Sequence, residues 1–211
     1  QPVDKTAIIL ISTILFFVTG IMNIDDLEAI PWNIILLFAG AMSIGNCLWQ
    51  TGAAEWMAVN WLANDGIWFQ AVEFSSGMDD AKRCNDTCWA HFSPFEAHSI
   101  KNFLNLPDAP GLEGLKKALN FRVYARINKQ SIIEEDDGSI VFRMNECRVQ
   151  NARKRKGLDD YPCKSGGMVE YTYFARSIDQ RISTECIACP PDKHPDDWYC
   201  AWRFSIKQDS T

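Results

Sequence analysis

The sequence predicts an α+β protein: a membrane-type helical hairpin at the N-terminus, followed by a layer of helices packed on a small antiparallel sheet. Three observations carry this expectation. Two charge-free apolar runs occupy residues 6–22 and 30–49. From Asn64 onward charges are dense, and apolar residues recur at helical spacing as far as Val123. Beyond that point β-branched clusters and strict alternation take over.

The two apolar runs are about 17 and about 20 residues long, near the length that crosses a bilayer core. Their apolar residues surround the helix instead of forming one stripe, which distinguishes them from helices that line a core. Between them, "NIDDLEAIPW" supplies Pro31 and Trp32, suited to a helix start at a membrane interface. A hairpin in membrane is expected over residues 6–58. The domains are expected to span 1–59 and 60–211, joined between Ala58 and Trp61 without a linker.

In the second segment, Trp61, Leu62, Trp68, Phe69 and Val72 recur at helical spacing, and Gly77 marks a break. A second amphipathic helix is expected over 79–92. "SPFEAHSIKNFL" then reads as the start of a third, with Ser93 as N-cap, Pro94 in the first turn and Glu96 closing a capping box. After Gly111, the residues Leu112, Leu115, Leu119 and Val123 share a face, so four helices precede any strand. "DDGS" between β-branched clusters signals a hairpin turn. A short basic helix ending in "RKRKG" follows, read as a solvated face, and then a helix over "CKSGGMVEYTYFARSI". "RISTECIAC" and "DWYCAWRFSI" supply the last strands, the latter with Trp198, Cys200, Trp202 and Phe204 alternating onto one buried face.

A formal net charge of -6 argues against wholesale binding to a phosphate backbone, so no nucleic-acid partner is expected. The opening "QPVDK" and the apolar run after it lack a cleavable secretory pattern, and the initial glutamine suits a fragment or processed product. Of the eight cysteines, the seven in the second segment are therefore expected to be reduced thiols in a cytoplasmic C-terminal domain, with a membrane-associated N-terminal segment.

The stretch "IPWNIILLFAGAMSIGNCLWQTGAAEWMA" resembles the divalent-anion:sodium symporter family, which implies one transmembrane helix leading into a re-entrant hairpin. That family's Ser-Asn-Thr motifs and second inverted repeat are missing from this sequence, so transport by the chain alone is not expected. The words "LKKALNFRVYARINKQ", "FRMNECRVQNARKRKGL", "YPCKSGG" and "CIACPPDKHPDDWYCAW" resemble an uncharacterised family of bacterial and archaeal cytosolic proteins, a domain of unknown function. A looser likeness joins it to aminothiazoline-carboxylate hydrolase-like proteins and to vinyl-reductase-type ligand-binding domains, which implies a shared fold more than a shared activity. The chain thus reads as a composite of a symporter-like fragment and a cytosolic domain.

The candidate site lies in the C-terminal cysteines. Cys147 ends a strand, Cys163 starts a helix, Cys186 and Cys189 form a C-x-x-C, and Cys200 lies on the partner strand. Thiolates so spaced suit zinc or an iron-sulfur cluster, which needs four ligands and leaves one of the five over. Cys47, Cys84 and Cys88 are read as buried small hydrophobes, and His91, His98 and His194 as surface residues. Arg143, Arg148 and Arg126 are candidate holders of a ligand's anionic group. Three functions remain open: binding of a small ligand or metal by a sensor-like domain, hydrolysis of a small sulfur-containing heterocyclic acid through Cys147, and a fragment of an anion:sodium symporter.

Overall fold

A computed structural model of the chain describes residues 5–206, and it divides between Ala54 and Glu55 into two compact units. The first contains α1 (Lys5–Val18), α2 (Ile24–Glu28) and α3 (Trp32–Gln50). A reciprocal cap starts α2: the Asn23 amide donates to Asp26 Oδ2 at 2.9 Å, and the Asp26 amide donates to Asn23 Oδ1 at 3.0 Å. Pro31 caps α3, as its fixed φ favours. Among the described residues α3 is the one helix long and apolar enough to cross a membrane, and none of its residues is buried. The 14 residues of α1 reach only about 21 Å, short of a bilayer core of about 30 Å. The expected pair of spans is therefore one candidate span and a shorter apolar helix.

The second unit is built from α4 (Ala53–Ser76), most of which belongs to it, α5 (Met78–Phe103), α6 (Gly111–Leu119), β1 (Lys129–Glu134), β2 (Ile140–Glu146), α7 (Arg148–Arg155), α8 (Lys164–Ile178), β3 (Ile182–Ala188) and β4 (Cys200–Ile206). A 3-10 turn at Val123–Arg126 links α6 to β1. The sheet is antiparallel throughout, in the order β1-β2-β4-β3. Helix α8 packs on one face and α5 packs on α8, in keeping with the expected α+β layering. The expected join at 58–61 falls inside α4, which is continuous there.

Between the layers lies one core, whose largest fully buried side chains include Trp202, Phe142, Phe174, Phe204, Leu115 and Leu119. Close approach of α8 to the sheet is set by two glycines in its first turn. A Cβ at Gly167 would stand 2.5 Å from the Trp202 ring, and one at Gly166 would stand 3.1 Å from Asn85 and Asp86 of α5. At its other end, Asp179 is a fixed point. It accepts from the Gly111 amide at 2.9 Å, which opens α6 at φ +66°, and from Arg181 at 2.8 Å.

Several expectations need correction. Ser93 and Pro94 do not start a helix, because α5 runs through them from Met78 to Phe103. Ser93 is buried without a partner for its hydroxyl, and Glu96 bonds Arg122 instead of capping. Three helices, not four, thus precede the 3-10 turn in this unit. On α4, Leu62 and Phe69 turn inward, whereas Trp61 and Trp68 are 73% and 68% exposed. Trp198 does not share a face with Trp202. Strand β4 starts only at Cys200, and Trp198 packs with Val141, Ala188 and Ala201 on the opposite side of the sheet. Cys47, Cys84 and Cys88 are exposed, since nothing in α3 is buried and Cys84 and Cys88 lie on the outer side of α5.

Two measurements check this packing. Gly167→Ala forces a methyl group into the Trp202 ring and is expected to destabilise the domain by roughly 1–3 kcal/mol, read in thermal or denaturant unfolding. Asp179 is held well below the usual carboxylate range by Arg181 first, against the opposing effect of burial, and then by the amides of Arg181 and Gly111. Because its folded pKa is depressed, its stabilisation is present above about pH 4 and is lost as the pH falls through the carboxylate range. Asp179→Asn is expected to cost about 1–3 kcal/mol at neutral pH, and the gap between variant and parent is expected to close in acid.

Candidate functional site

A cavity of about 370 Å³ lies in the second unit, at the end of the sheet where β2 stops and β4 starts. Its walls are largely apolar and aromatic, with Trp89, Tyr124, Tyr161, Tyr171 and Trp202 among them. Tyr171 and Trp202 lie with ring centroids 4.9 Å apart. One side is closed by α4 through Leu62, Gly66 and Phe69.

Four of the five candidate cysteines line this cavity: Cys147, Cys163, Cys189 and Cys200. Each sits at an end of an element. Cys147 is the residue before α7, Cys163 the residue before α8, Cys189 the residue after β3, and Cys200 the first of β4. Residues three apart on a regular strand face opposite ways, so Cys186 and Cys189 would be separated. A bulge removes that conflict: Cys186 pairs with Trp202 and Ala188 with Ala201, leaving Ile187 as the extra residue, 45% exposed. Both thiols then face the core.

Neighbouring contacts fix the quartet. The Lys164 amide donates to the Pro190 carbonyl at 3.0 Å, tying the start of α8 to the chain just past Cys189. Gln150 Nε2 donates to Cys163 Sγ at 3.1 Å and to the Tyr161 carbonyl at 2.8 Å. Cys189 is 1% exposed, and the neighbouring thiols of Cys163 and Cys200, with burial, push its pKa well above the ordinary thiol value. Burial, helped by Cys163, pushes the Cys147 thiol up to about 12, against the pull of the Gln150 and Val149 amides. Cys186 packs on the core outside the cavity, and burial pushes its thiol up to about 11. Among the described residues no group of three or more His, Cys, Asp or Glu side chains is arranged as a ready metal site.

Of the candidate anion holders, Arg148 lines the cavity and Arg126 does not. Arg143 stands on the opposite face of the sheet, 5.8 Å from the Trp198 ring. Glu146, beside Cys147 in sequence, pairs with Lys129 at 2.5 Å on the surface. It is therefore not placed to serve Cys147 as a base. His194 is half-buried against Trp198 and Tyr199.

The sequence offers Arg122 only as a further anion holder or a plain surface charge, whereas the structure buries it in an ion pair with the wall residue Glu170. Arg122, 2% exposed, donates to Glu96 at 2.9 Å and pairs with Glu170 at 2.7 Å. Its guanidinium also stands 4.6 Å from the Phe174 ring and 5.4 Å from the Tyr171 ring. Burial alone would lower its pKa, but the two carboxylates outweigh this and hold it above its ordinary value. Glu170 lines the cavity, and burial raises its pKa against the pull of Arg122. A lone arginine after "LNF" carries no sequence signal of such a partner, because the two glutamates come from separate helices.

The basic run after Cys147 works inside the molecule. Arg153, 5% exposed, pairs with both oxygens of Glu73 at 2.7 and 2.9 Å and donates to the Asp159 carbonyl at 2.6 Å. Lys156 donates to Gln70 at 2.8 Å, and Phe69 meets Tyr161 edge-on at 4.9 Å. These contacts latch α4 over the cavity.

The fold and site define an α+β domain with a thiol-lined cavity. The chain belongs to a family of unknown function, DUF6125, whose model matches residues 52–206. It is also similar to the low-affinity phosphate transporter PHO90 of Saccharomyces cerevisiae, 33% identical over 63 residues, which cover 28% of this chain and 7% of that transporter. No solved structure matches the chain.

Replacing Arg153 with methionine removes the bidentate pair with Glu73 while keeping much of the side chain's length. Hydrogen exchange over residues 62–76 is expected to quicken at least tenfold, with α8 protection unchanged.

Proposed function

We propose that the second unit is a small-ligand-binding domain of the sensor type, whose cavity holds one compact, largely apolar molecule, and that α3 anchors the chain in a membrane. One observation carries the reading: a cavity of about 370 Å³, walled by aromatic side chains and closed on one side by a latched helix. Such a volume with a few polar groups in an apolar wall is typical of small-molecule sites. Asn85, Asn128, Arg148 and Glu170 are among the polar wall residues that can orient the ligand.

Binding is favoured over hydrolysis because the geometry gives Cys147 no carboxylate base from Glu146. The looser resemblance to vinyl-reductase-type ligand-binding domains is in line with this reading. The likeness to PHO90 over 63 residues supports a transporter-like segment in the chain.

The test uses the full chain in detergent micelles and 2-naphthol as a probe, followed by tryptophan fluorescence. Saturable binding with an equilibrium constant in the micromolar range is expected. Ala152→Trp fills the cavity from α7 and is expected to weaken binding at least tenfold without lowering the unfolding temperature by more than a few degrees. Binding of equal strength in the filled variant, or none in the parent, would remove the proposal.

A further inference from the structure

Helix α4 has two unlike faces. Its inner side is fastened to the domain by Phe69, Gln70 and Glu73, which meet Tyr161, Lys156 and Arg153. Its outer side carries Trp56, Met57, Trp61, Ile67, Trp68 and Phe74, each between 50% and 73% exposed. At about 100° per residue, these six fall within an arc of about 140°. The charged residues of the helix, Glu55, Asp65 and Glu73, fall outside that arc. Asn60, within the arc, turns its amide back to the Trp56 carbonyl at 2.8 Å, a partner that it keeps in an apolar setting. An uncharged aromatic surface of this extent, on a domain otherwise dense in charge, marks a contact with something apolar.

We propose that this face of α4 lies in the interfacial layer of a membrane, so that the second unit rests on lipid. The inference builds on the reading of α3 as a membrane anchor. Chain continuity favours this occupant: α3 ends at Gln50 and α4 begins at Ala53, with Thr51 and Gly52 between them. Three peptide steps reach about 11 Å at most, so a span in α3 leaves the start of α4 close to the bilayer surface. A second span is excluded for α4, because three carboxylates interrupt it and its inner side is committed to the domain. A helix with one apolar face and one fastened face lies in the membrane plane instead. Tryptophan suits that layer, since its ring meets acyl chains while its N–H meets headgroups. Lys156, exposed and bonded to Gln70 of the same helix at 2.8 Å, adds a cation for anionic headgroups. Ile67 belongs both to the outer face and to the cavity lining, so the helix that meets lipid is also the one that covers the ligand site.

The experiment uses the full chain carrying 5-fluorotryptophan, in nanodiscs of phosphatidylcholine with phosphatidylglycerol as the minor component. Each fluorine resonance is assigned by a single Trp→Phe substitution. Two relaxation probes are compared: a phosphatidylcholine with a nitroxide near the top of its acyl chain, and a gadolinium chelate confined to water. The nitroxide lipid is expected to broaden Trp61 and Trp68 at least threefold more than the core residue Trp202, and the chelate is expected to spare them. Broadening of Trp49 by lipid with Trp61 and Trp68 open to the chelate would overturn this inference and leave the α3 anchor standing. Shielding of Trp61 and Trp68 from both probes would also overturn it, because a protein surface, a second copy or the N-terminal segment, then covers the face. Lipid broadening of Trp61 and Trp68 without Trp32 and Trp49 would support the face and remove the anchor. No lipid broadening at any tryptophan would overturn both.

Discussion

The site depends on how closely α8 lies on the sheet, and that distance is set where Gly167 meets Trp202. With a Cβ 2.5 Å from the indole ring, the helix would have to rise or slide. Its first turn would then leave the ends of β3 and β4, and the Lys164 amide would lose the Pro190 carbonyl. A helix interior normally disfavours glycine by about 1 kcal/mol relative to alanine. Two in succession are tolerated here because they let backbone approach both an aromatic ring below and α5 behind. The contact that packs the core is therefore also the contact that places Cys163 beside Cys189.

Much of the second unit was legible because its signals are local. The "DDGS" turn forms as read: Ser139 donates its amide to Asp137 Oδ1 at 2.9 Å, and Gly138 takes φ +78°. The break at Gly77, the basic helix and the helix after Cys163 were legible for the same reason. Failures came where a tertiary contact overrode a local preference. Pro94 reads as a helix start, yet α5 passes through it, because residues on both sides of it, Ser93, Glu96 and Ala97, are buried. A proline costs that helix one hydrogen bond, and burial of its neighbours offsets the loss.

The candidate site was legible in its parts but not in its arrangement. Cysteine spacing pointed to Cys147, Cys163, Cys186, Cys189 and Cys200 without saying which to omit. A bulge at Ile187 brings Cys186 and Cys189 to the same side, and nothing in "TECIACPP" marks it, since a bulge is a property of pairing with β4. Alternation in "DWYCAWRF" likewise failed at Trp198 because the strand begins two residues later. The charges of "RKRKG" were read as facing water, whereas Arg153 is buried against Glu73, 80 residues earlier in the sequence. No periodicity reports a partner at that separation.

The remaining wall is shaped by electrostatics. Two carboxylates and one guanidinium, taken out of water together, carry a formal charge of -1, and such a group persists only where its geometry is nearly complete. Arg122 meets this demand with Glu96 on one side, Glu170 on the other and aromatic faces around it. The balance is uneven, because burial pushes Glu170 toward its neutral form while Arg122 opposes it. The Glu170 carboxyl and four cysteine thiols line the same cavity, so a molecule that fills it meets both.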